Sequence, residues 1–355
     1  MNKKTLTGFS MFSGAGIGEM LLSKKRFNIK IANEIVKERS KLYEEIHPHT
    51  SMINGDIRSS EVKKLIFESL KNVKVDFIIA SPPCQGLSLA GINRNSDNFI
   101  EDKRNHLIYE VIFFIKKLQP KFVLIENVPS LLKLILFNKD KKMHIFDILM
   151  EELGDKYIID HEILDSSDYG VPQKRLRAIL KIYKKNIIWD SPAKEKKITV
   201  RDSIAHLPSL ESGQSSNLPF HFARKHTKNH VLWMRNTPSG KSAFDNKKYF
   251  PNKNGIRLKG FNSSYRRIKW DEPAPTITIR SDAVSSQRNV HPGRKKNNYF
   301  SDARVLTPLE LMILNSIPSK NNIKKDTNEL LLRKVIGESV PPLLLKKIMS
   351  KVELW

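Results

Sequence analysis

The sequence predicts an α/β fold: a doubly wound parallel sheet followed by a second, smaller and irregular domain. Three observations carry this. Short β-branched and apolar runs alternate with amphipathic stretches through the first half of the chain. A glycine-rich turn stands directly after the first such run, with acids at the ends of the next two. Beyond residue 183 the periodicity stops, and Lys, Asn, Ser, His and Pro dominate to residue 261.

In chain order, strands are expected at residues 8–12 and 29–33, at a third run ending in Asn54-Gly55-Asp56-Ile57, and at 76–80, 122–126 and 158–164. Each is β-branched, aromatic or otherwise apolar and bounded by turn formers. Helices are expected at 18–25, 36–46, 61–70, 106–118 and 144–153, several of them with apolar residues at helical spacing. A further apolar run covers 177–183. Helical patterning returns at 308–315, 329–336 and 343–352, so the C-terminus is expected to pack back on the first domain.

With 39% hydrophobic and 28% charged residues this is an ordinary globular composition. No apolar run approaches the ~20 residues of a membrane-spanning helix. The N-terminus enters a strand-like segment without the apolar core of a signal peptide, so a cytoplasmic protein is expected. Cys84 is the only cysteine, which excludes an intrachain disulfide and a cysteine-cluster metal site and leaves any thiol chemistry to that residue. The net charge of +25 points to a polyanion, because lysine and arginine neutralise phosphates and release their counterions. An AT-rich genome would also enrich lysine and asparagine, so charge alone does not assign DNA.

The turn after the first strand reads Phe12-Ser13-Gly14-Ala15-Gly16-Ile17-Gly18-Glu19. Glycines there let the backbone approach a ligand at the carboxyl edge of the sheet. Glu34 stands where such folds place an acid on ribose hydroxyls, and Ile35 follows it. Asp56 can accept from an adenine amino group while Ile57 packs on the ring. Any one of these is an ordinary loop feature; together they support a nucleoside cofactor lying across the sheet edge. The Gly-x-Gly-x-Gly spacing differs from the nicotinamide fingerprint, and no residue elsewhere suggests hydride chemistry.

The fourth strand leads into Ser81-Pro82-Pro83-Cys84-Gln85-Gly86. A lone cysteine is most often a small core residue. Here two prolines fix the backbone ahead of it, and residues 86–105 have the composition of an active-site loop. With Glu126-Asn127-Val128 and Gln173-Lys174-Arg175-Leu176-Arg177, this segment resembles the DNA cytosine-5 methyltransferases of bacterial and phage restriction-modification type. The resemblance continues through the glycine turn, Asp102-Lys103-Arg104-Asn105-His106-Leu107, Tyr169-Gly170-Val171-Pro172, Pro275-Thr276-Ile277-Thr278 and Gly337-Glu338-Ser339-Val340-Pro341-Pro342. It covers nearly the whole chain in the family's order.

The resemblance implies a Rossmann-like fold that binds S-adenosylmethionine and releases S-adenosylhomocysteine. It implies a catalytic and cofactor-binding domain over 1–183, a target-recognition domain over 184–266, and the remainder of the small domain with returning helices over 267–355. The implied reaction places a methyl group on carbon 5 of a cytosine flipped out of a short, specific duplex sequence. That carbon is a poor nucleophile until a thiolate adds to carbon 6, the role implied for Cys84 with Gln85 beside it. Glu126 would bind N3 and the exocyclic amine, and Arg177 with Arg175 the ring oxygen. The implied cofactor contacts are Phe12, Gly14, Ala15, Gly16, Glu34, Ile35, Asp56, Ile57, Leu107 and Ser339.

A stacked cytosine hides both ring faces, and flipping it costs about a few kcal/mol. DNA contacts are expected from Ser88 and Arg104 in the loop, and from Arg224, Lys225, Arg235, Arg257 and Arg266 in the small domain, where a solvated surface role competes for each. The implied partners are double-stranded DNA and a restriction endonuclease acting on the same site, with the enzyme itself a monomer. Two positions depart from the family pattern: Glu338 replaces the usual asparagine before Ser339, and Ile17 interrupts the usual glycine pair. The alternative is an RNA cytosine-5 methyltransferase on the same fold, whose transfer-RNA branch carries a Cys-Phe-Thr motif absent here.

Overall fold

The main sheet begins with five parallel strands: β1 (Leu6–Met11), β2 (Phe27–Glu34), β3 (Ser51–Asn54), β4 (Phe77–Ala80) and β5 (Phe122–Asn127). A small hairpin, β6 (Ile135–Asn138) and β7 (Lys141–His144), follows β5, and then come β8 (Tyr157–Asp165), β9 (Leu176–Lys184) and β10 (Ile187–Trp189). The seven-stranded order is β3-β2-β1-β4-β5-β9-β8, so the direction of winding reverses between β1 and β4. Folds of this kind bind ligands at the carboxyl edge beside such a switch point. This is the computed structural model of residues 5–83, 106–138 and 141–354.

The expectation of an all-parallel sheet needs one correction. β9 pairs antiparallel with both β5 and β8. The ten residues from Ser166 to Arg175 between β8 and β9 hold only a short 3-10 turn, too little chain for the crossover that a parallel neighbour requires.

Helices α1 (Lys37–Ile46), α2 (Ser60–Ser69), α3 (Leu107–Leu118) and α4 (Ile145–Leu153) fall close to the expected positions. The Ser59 hydroxyl caps α2 by accepting from the Val62 N–H. The helix expected at 18–25 is instead a 3-10 turn over Ile17–Leu21, entered through a left-handed Gly16 with no side-chain cap and left through an extended Leu22. Apolar residues of α2, α3 and α4, among them Ile66, Phe114 and Ile148, pack with Phe9, Ile78, Val123 and Leu180 of the sheet in one core cluster. At the amino edge, Phe27, Phe77, Phe122 and Trp189 form a ladder of ring contacts with centroids 5.3–5.7 Å apart. The edge opposite is left to loops.

By its contacts the chain divides into one unit of Met1–Asp165, Leu176–Ala193 and Leu345–Trp355, and another of Ser166–Arg175 and Lys194–Leu344. The second contains short helices α5 (Val200–Ile204) and α6 (Lys228–Arg235), a hairpin of β11 (Asn252–Lys253) and β12 (Ile256–Arg257), and helices α7 (Pro308–Leu314) and α8 (Glu329–Glu338). Its interior is held together by buried ions. Arg267 donates to the carbonyls of Met234, His291, Phe300, Ser301 and Asp302. Arg304 grips Glu310 at 2.8 and 2.9 Å and Asp302 at 3.0 Å. The C-terminal helix α9 (Pro342–Ser350) ends earlier than its apolar pattern suggests, and β13 (Val352–Leu354) pairs antiparallel with β10.

Candidate active site and cofactor cradle

Because β9 runs against β5, its first residues lie beside the last residues of β5, with Asn127 opposite Ala178. There Arg177 Nε lies 2.5 Å from Glu126 Oε1, with the two side chains only 11% and 9% exposed. Arg177 Nη1 also donates to the Leu176 carbonyl at 2.7 Å, which fixes the plane of the guanidinium. The next residue ties this corner to β4: Asn127 Nδ2 donates to the Pro82 carbonyl at 3.0 Å, while its Oδ1 accepts from the Val128 N–H at 2.7 Å. Asn127 was visible in the sequence only as the neighbour of Glu126; the geometry makes it a strut between the two strand ends.

The cradle lies at the ends of β1, β2 and β3. Glu34 is buried, and its carboxylate accepts from the Gly14 N–H at 3.0 Å and the Val36 N–H at 2.8 Å, so the glycine turn and the start of α1 hold it jointly. Asn54 Nδ2 donates to the carbonyls of Glu34 and Ile35 and to Ser40 Oγ, which pins the β2 end to the β3 end. Ile35 is 59% exposed, an apolar surface directly beside the acid. Asp56 receives Arg58 Nε and Nη2 in a fork, and this hydrogen-bonded pairing holds its carboxyl below the usual range. Ala15, Ile57 and Leu107 are buried, and Phe12 sits in the left-handed region against the core.

Behind the turn lies a support that no sequence pattern marks. A Cβ on Gly16, whose φ is +69°, would fall 2.6 Å from both Tyr43 and His47. His47 Nε2 donates to the Gly16 carbonyl at 2.8 Å. Tyr43 and Ser10 donate to the buried Glu19 carboxylate, the former at 2.6 Å; burial, and then the charge of Glu19, push the Tyr43 phenol well above its ordinary range. Ile17 is buried within this structure, so the departure from the usual glycine pair is accommodated by packing. At Gly14 a Cβ would meet nothing within 4 Å. Open space beside that glycine, two hydrogen-bond-accepting carboxylates and an exposed apolar residue form a set that fits a nucleoside with ribose hydroxyls and an amino group.

The family model for C-5 cytosine-specific DNA methylases matches residues 6–353. The chain belongs to that family. It is therefore a DNA cytosine-5 methyltransferase, the RNA alternative is not favoured, and the methyl donor is of the S-adenosylmethionine type. It is 51% identical over 352 residues to the Type II methyltransferase M1.HgaI of Avibacterium volantium, covering 99% of each chain. It is 28% identical to M1.HphI of Haemophilus parahaemolyticus, covering 98% of this chain and 87% of that one. Among solved structures, a prophage-encoded DNA modification methyltransferase of E. coli shares the fold with a TM-score of 0.71, at 20% identity and over 98% of both chains.

Other residues of this methylase expected at the site stand in different settings. Arg175 lies in the second unit, where Nη1 donates to the Ile277 carbonyl at 3.0 Å and Nη2 to that of Gly337 at 2.9 Å. Gln173 beside it bonds Asn315 and the Ile277 N–H, so this motif braces the segment around Thr276. Nη1 and Nη2 of Arg175 are thus engaged by backbone carbonyls, whereas Arg177 faces Glu126. The Ser339 hydroxyl accepts from Asn315 and donates to the Ile336 carbonyl. Arg224 pairs with Glu329 and Arg235 with Glu211, while Lys225 is exposed. Arg266 donates to Asn262 and to the Gly240 carbonyl. Cys84, Gln85, Ser88 and Arg104 lie outside the described residues.

Proposed function

We propose that this methylase modifies cytosine in duplex DNA by covalent catalysis through Cys84, with Glu126 and Arg177 as the groups that bind the reacting ring. The single observation that supports this most is the Glu126–Arg177 pair at 2.5 Å, tied by Asn127 to the Pro82 carbonyl two residues ahead of Cys84. Cys84, as thiolate, adds to carbon 6, and the electrons of the carbon 5–carbon 6 bond are freed to make carbon 5 nucleophilic. Glu126, oriented by Arg177 through Oε1, binds the N3 and amino edge where charge shifts during this addition; Arg177 Nη2 is assigned to the ring oxygen. S-adenosylmethionine, when bound, supplies the methyl group to carbon 5. Loss of the carbon 5 proton to a base then expels Cys84 and restores the ring.

Glu34 is assigned to the ribose hydroxyls, Asp56 to the adenine amino group, Ile35 and Ile57 to the ring faces, and the N–H groups around Gly14 to the rest of the cofactor. Residues 1–183 carry the chemistry, and residues 184–266 read the DNA. A restriction endonuclease with the same target is the inferred partner, supported by the Type II methyltransferase relatives. The test is mass spectrometry of the protein incubated with S-adenosylmethionine and a duplex library carrying 5-fluorocytosine. A protein–DNA adduct mapping to Cys84, lost in Cys84→Ser, is expected, because fluorine cannot leave as the proton does. Methyl transfer to the unsubstituted library without any adduct would refute covalent catalysis.

A further inference from the structure

We propose that the hairpin segment of the second unit, residues 249–261, contacts DNA bases through Ile256 and Phe261, with Arg257 as its internal support and not a phosphate contact. The proposal rests on the DNA-methylase reading and deepens it by naming the contacting element and the chemistry of the contact.

The segment is built to hold a shape. Asn252 pairs with Arg257 and Lys253 with Ile256 across the Asn254-Gly255 turn, both turn residues having positive φ, as two-residue hairpin loops require. Leu258 N–H donates to the Pro251 carbonyl at 2.9 Å, closing the base of the hairpin. Arg257 lies with its guanidinium 3.6 Å from the centre of the Phe250 ring, and its Nη1 and Nη2 donate to the carbonyls of Phe244 at 2.7 Å and Asn246 at 3.1 Å. Those bonds join the hairpin to the turn at Ala243–Asp245. Nearby, Tyr249 packs against the core cluster of Trp233, Met234 and Val284.

What this support presents is unusual. Ile256 is 76% exposed and Phe261 is 84% exposed, with Leu258 between them at 38%, in a segment whose other exposed side chains are polar or basic. Residues 246–261 contain Lys247, Lys248, Lys253, Arg257 and Lys259 and no acid. Such a surface attracts a polyanion. With Arg257 occupied by carbonyls, the lysines are left to meet phosphates, each contributing to salt dependence. Phosphates offer nothing to an isoleucine or a phenylalanine. The apolar surface that a stacked duplex exposes is the thymine methyls beside the base edges of its major groove, so burial of Ile256 and Phe261 against DNA is burial against bases.

The two classes of contact therefore separate by salt. The full-length enzyme is first used to methylate a random duplex library, and bisulfite sequencing gives its site. Fluorescence anisotropy on a labelled duplex carrying that site is then measured over a salt series. Ile256→Ala with Phe261→Ala is expected to weaken binding by about tenfold or more with an unchanged slope of log Kd against log salt. Lys253→Gln with Lys259→Gln is expected to reduce the slope by about 0.9 per lysine. Arg257→Gln is expected to leave the slope intact but lower the Tm. Wild-type affinity and site pattern in the apolar double variant, or affinity for phosphatidylserine vesicles that those substitutions abolish while DNA binding stays unchanged, would overturn the proposal. So would a reduced slope in Arg257→Gln at unchanged Tm. A wild-type enzyme that methylates no sequence in the library would instead overturn the underlying reading.

Discussion

Arg177 Nε and Glu126 Oε1 meet at 2.5 Å across the one antiparallel junction of β5, with both side chains largely withdrawn from water. The two ends of this pair answer differently to substitution. Glu126→Gln keeps volume and hydrogen-bonding capacity but loses the charge that responds to the reacting ring, so kcat is expected to fall by about 10²- to 10⁴-fold with little change in Tm. Arg177→Ala leaves a nearly buried carboxylate unpaired, which costs up to about 3–5 kcal/mol, so Tm and kcat should fall together. Steady-state methyl transfer and thermal melts on both variants decide the matter, and wild-type kcat in Glu126→Gln would remove Glu126 from the mechanism.

The two glycines of the turn make a second contrast. Gly14 and Gly16 both have positive φ, so alanine at either meets the left-handed penalty of roughly 1–2 kcal/mol. Only at Gly16 would the added carbon also collide with Tyr43 and His47. Gly16→Ala is expected to lower the Tm more than Gly14→Ala. Gly14→Ala, whose methyl projects into open space beside Glu34, should act mainly by raising KM for S-adenosylmethionine. Calorimetry and cofactor titration distinguish them; equal Tm losses with no KM change in Gly14→Ala would contradict the cradle assignment.

Glu34 provides a third. Its two carboxylate oxygens accept from the N–H groups of Gly14 and Val36, and the buried acid is thereby aimed before any ligand arrives. Glu34→Gln would place an amide NH₂ against one of those donors. Weaker binding of S-adenosylhomocysteine by isothermal titration, with kcat at saturating cofactor close to wild type, is expected if the carboxylate serves binding and not the chemistry.

Much of this was legible in the sequence, and the parts that were not share a physical cause. Strands β4 and β5 are buried throughout, β1 and β2 bury most of their apolar residues, and the helices between them carry apolar residues at helical spacing, so both leave a periodic trace. Glu34, Asp56 and Glu126 stand at strand ends, where the chain pattern itself marks them. Arg175 and Arg177 read alike as a sequence pair, yet one braces Ile277 and Gly337 while the other faces Glu126, and only three-dimensional placement separates them. Tyr43, His47 and Glu19 act through contacts more than 20 residues apart in sequence. The second unit was least legible because Arg267, Arg304, Asp302 and Glu310 are buried there, and charged core residues look like surface to any hydropathy pattern.

That charged core sets the response of the fold to acid. His291 is fully buried, with Nδ1 accepting from the Gly293 N–H at 3.0 Å and Nε2 3.7 Å from Glu310. Burial, reinforced by Arg304, pushes the imidazole down to about 3 from its ordinary 6.5. Burial works to raise the Glu310 carboxyl, but Arg304 and His291 outweigh it and hold the group at about 2, against an ordinary 4.5. His226 is lowered to about 4, by burial first and then by His230 and Arg224. For each group the unfolded chain binds more protons than the folded one between the two values, so stability rises with pH across that window and is lost as pH falls. The Tm is expected to be highest above pH 7, to decline below about 6.5 as unfolded histidines take up protons, and to decline more steeply below about 4.5 when Glu310 adds its share. His291→Gln should shallow the upper part of this decline while leaving the carboxylate part in place, as read by Tm at closely spaced pH values. A profile with the same slope between pH 6.5 and 4.5 in variant and wild type would show that His291 is not the titrating group.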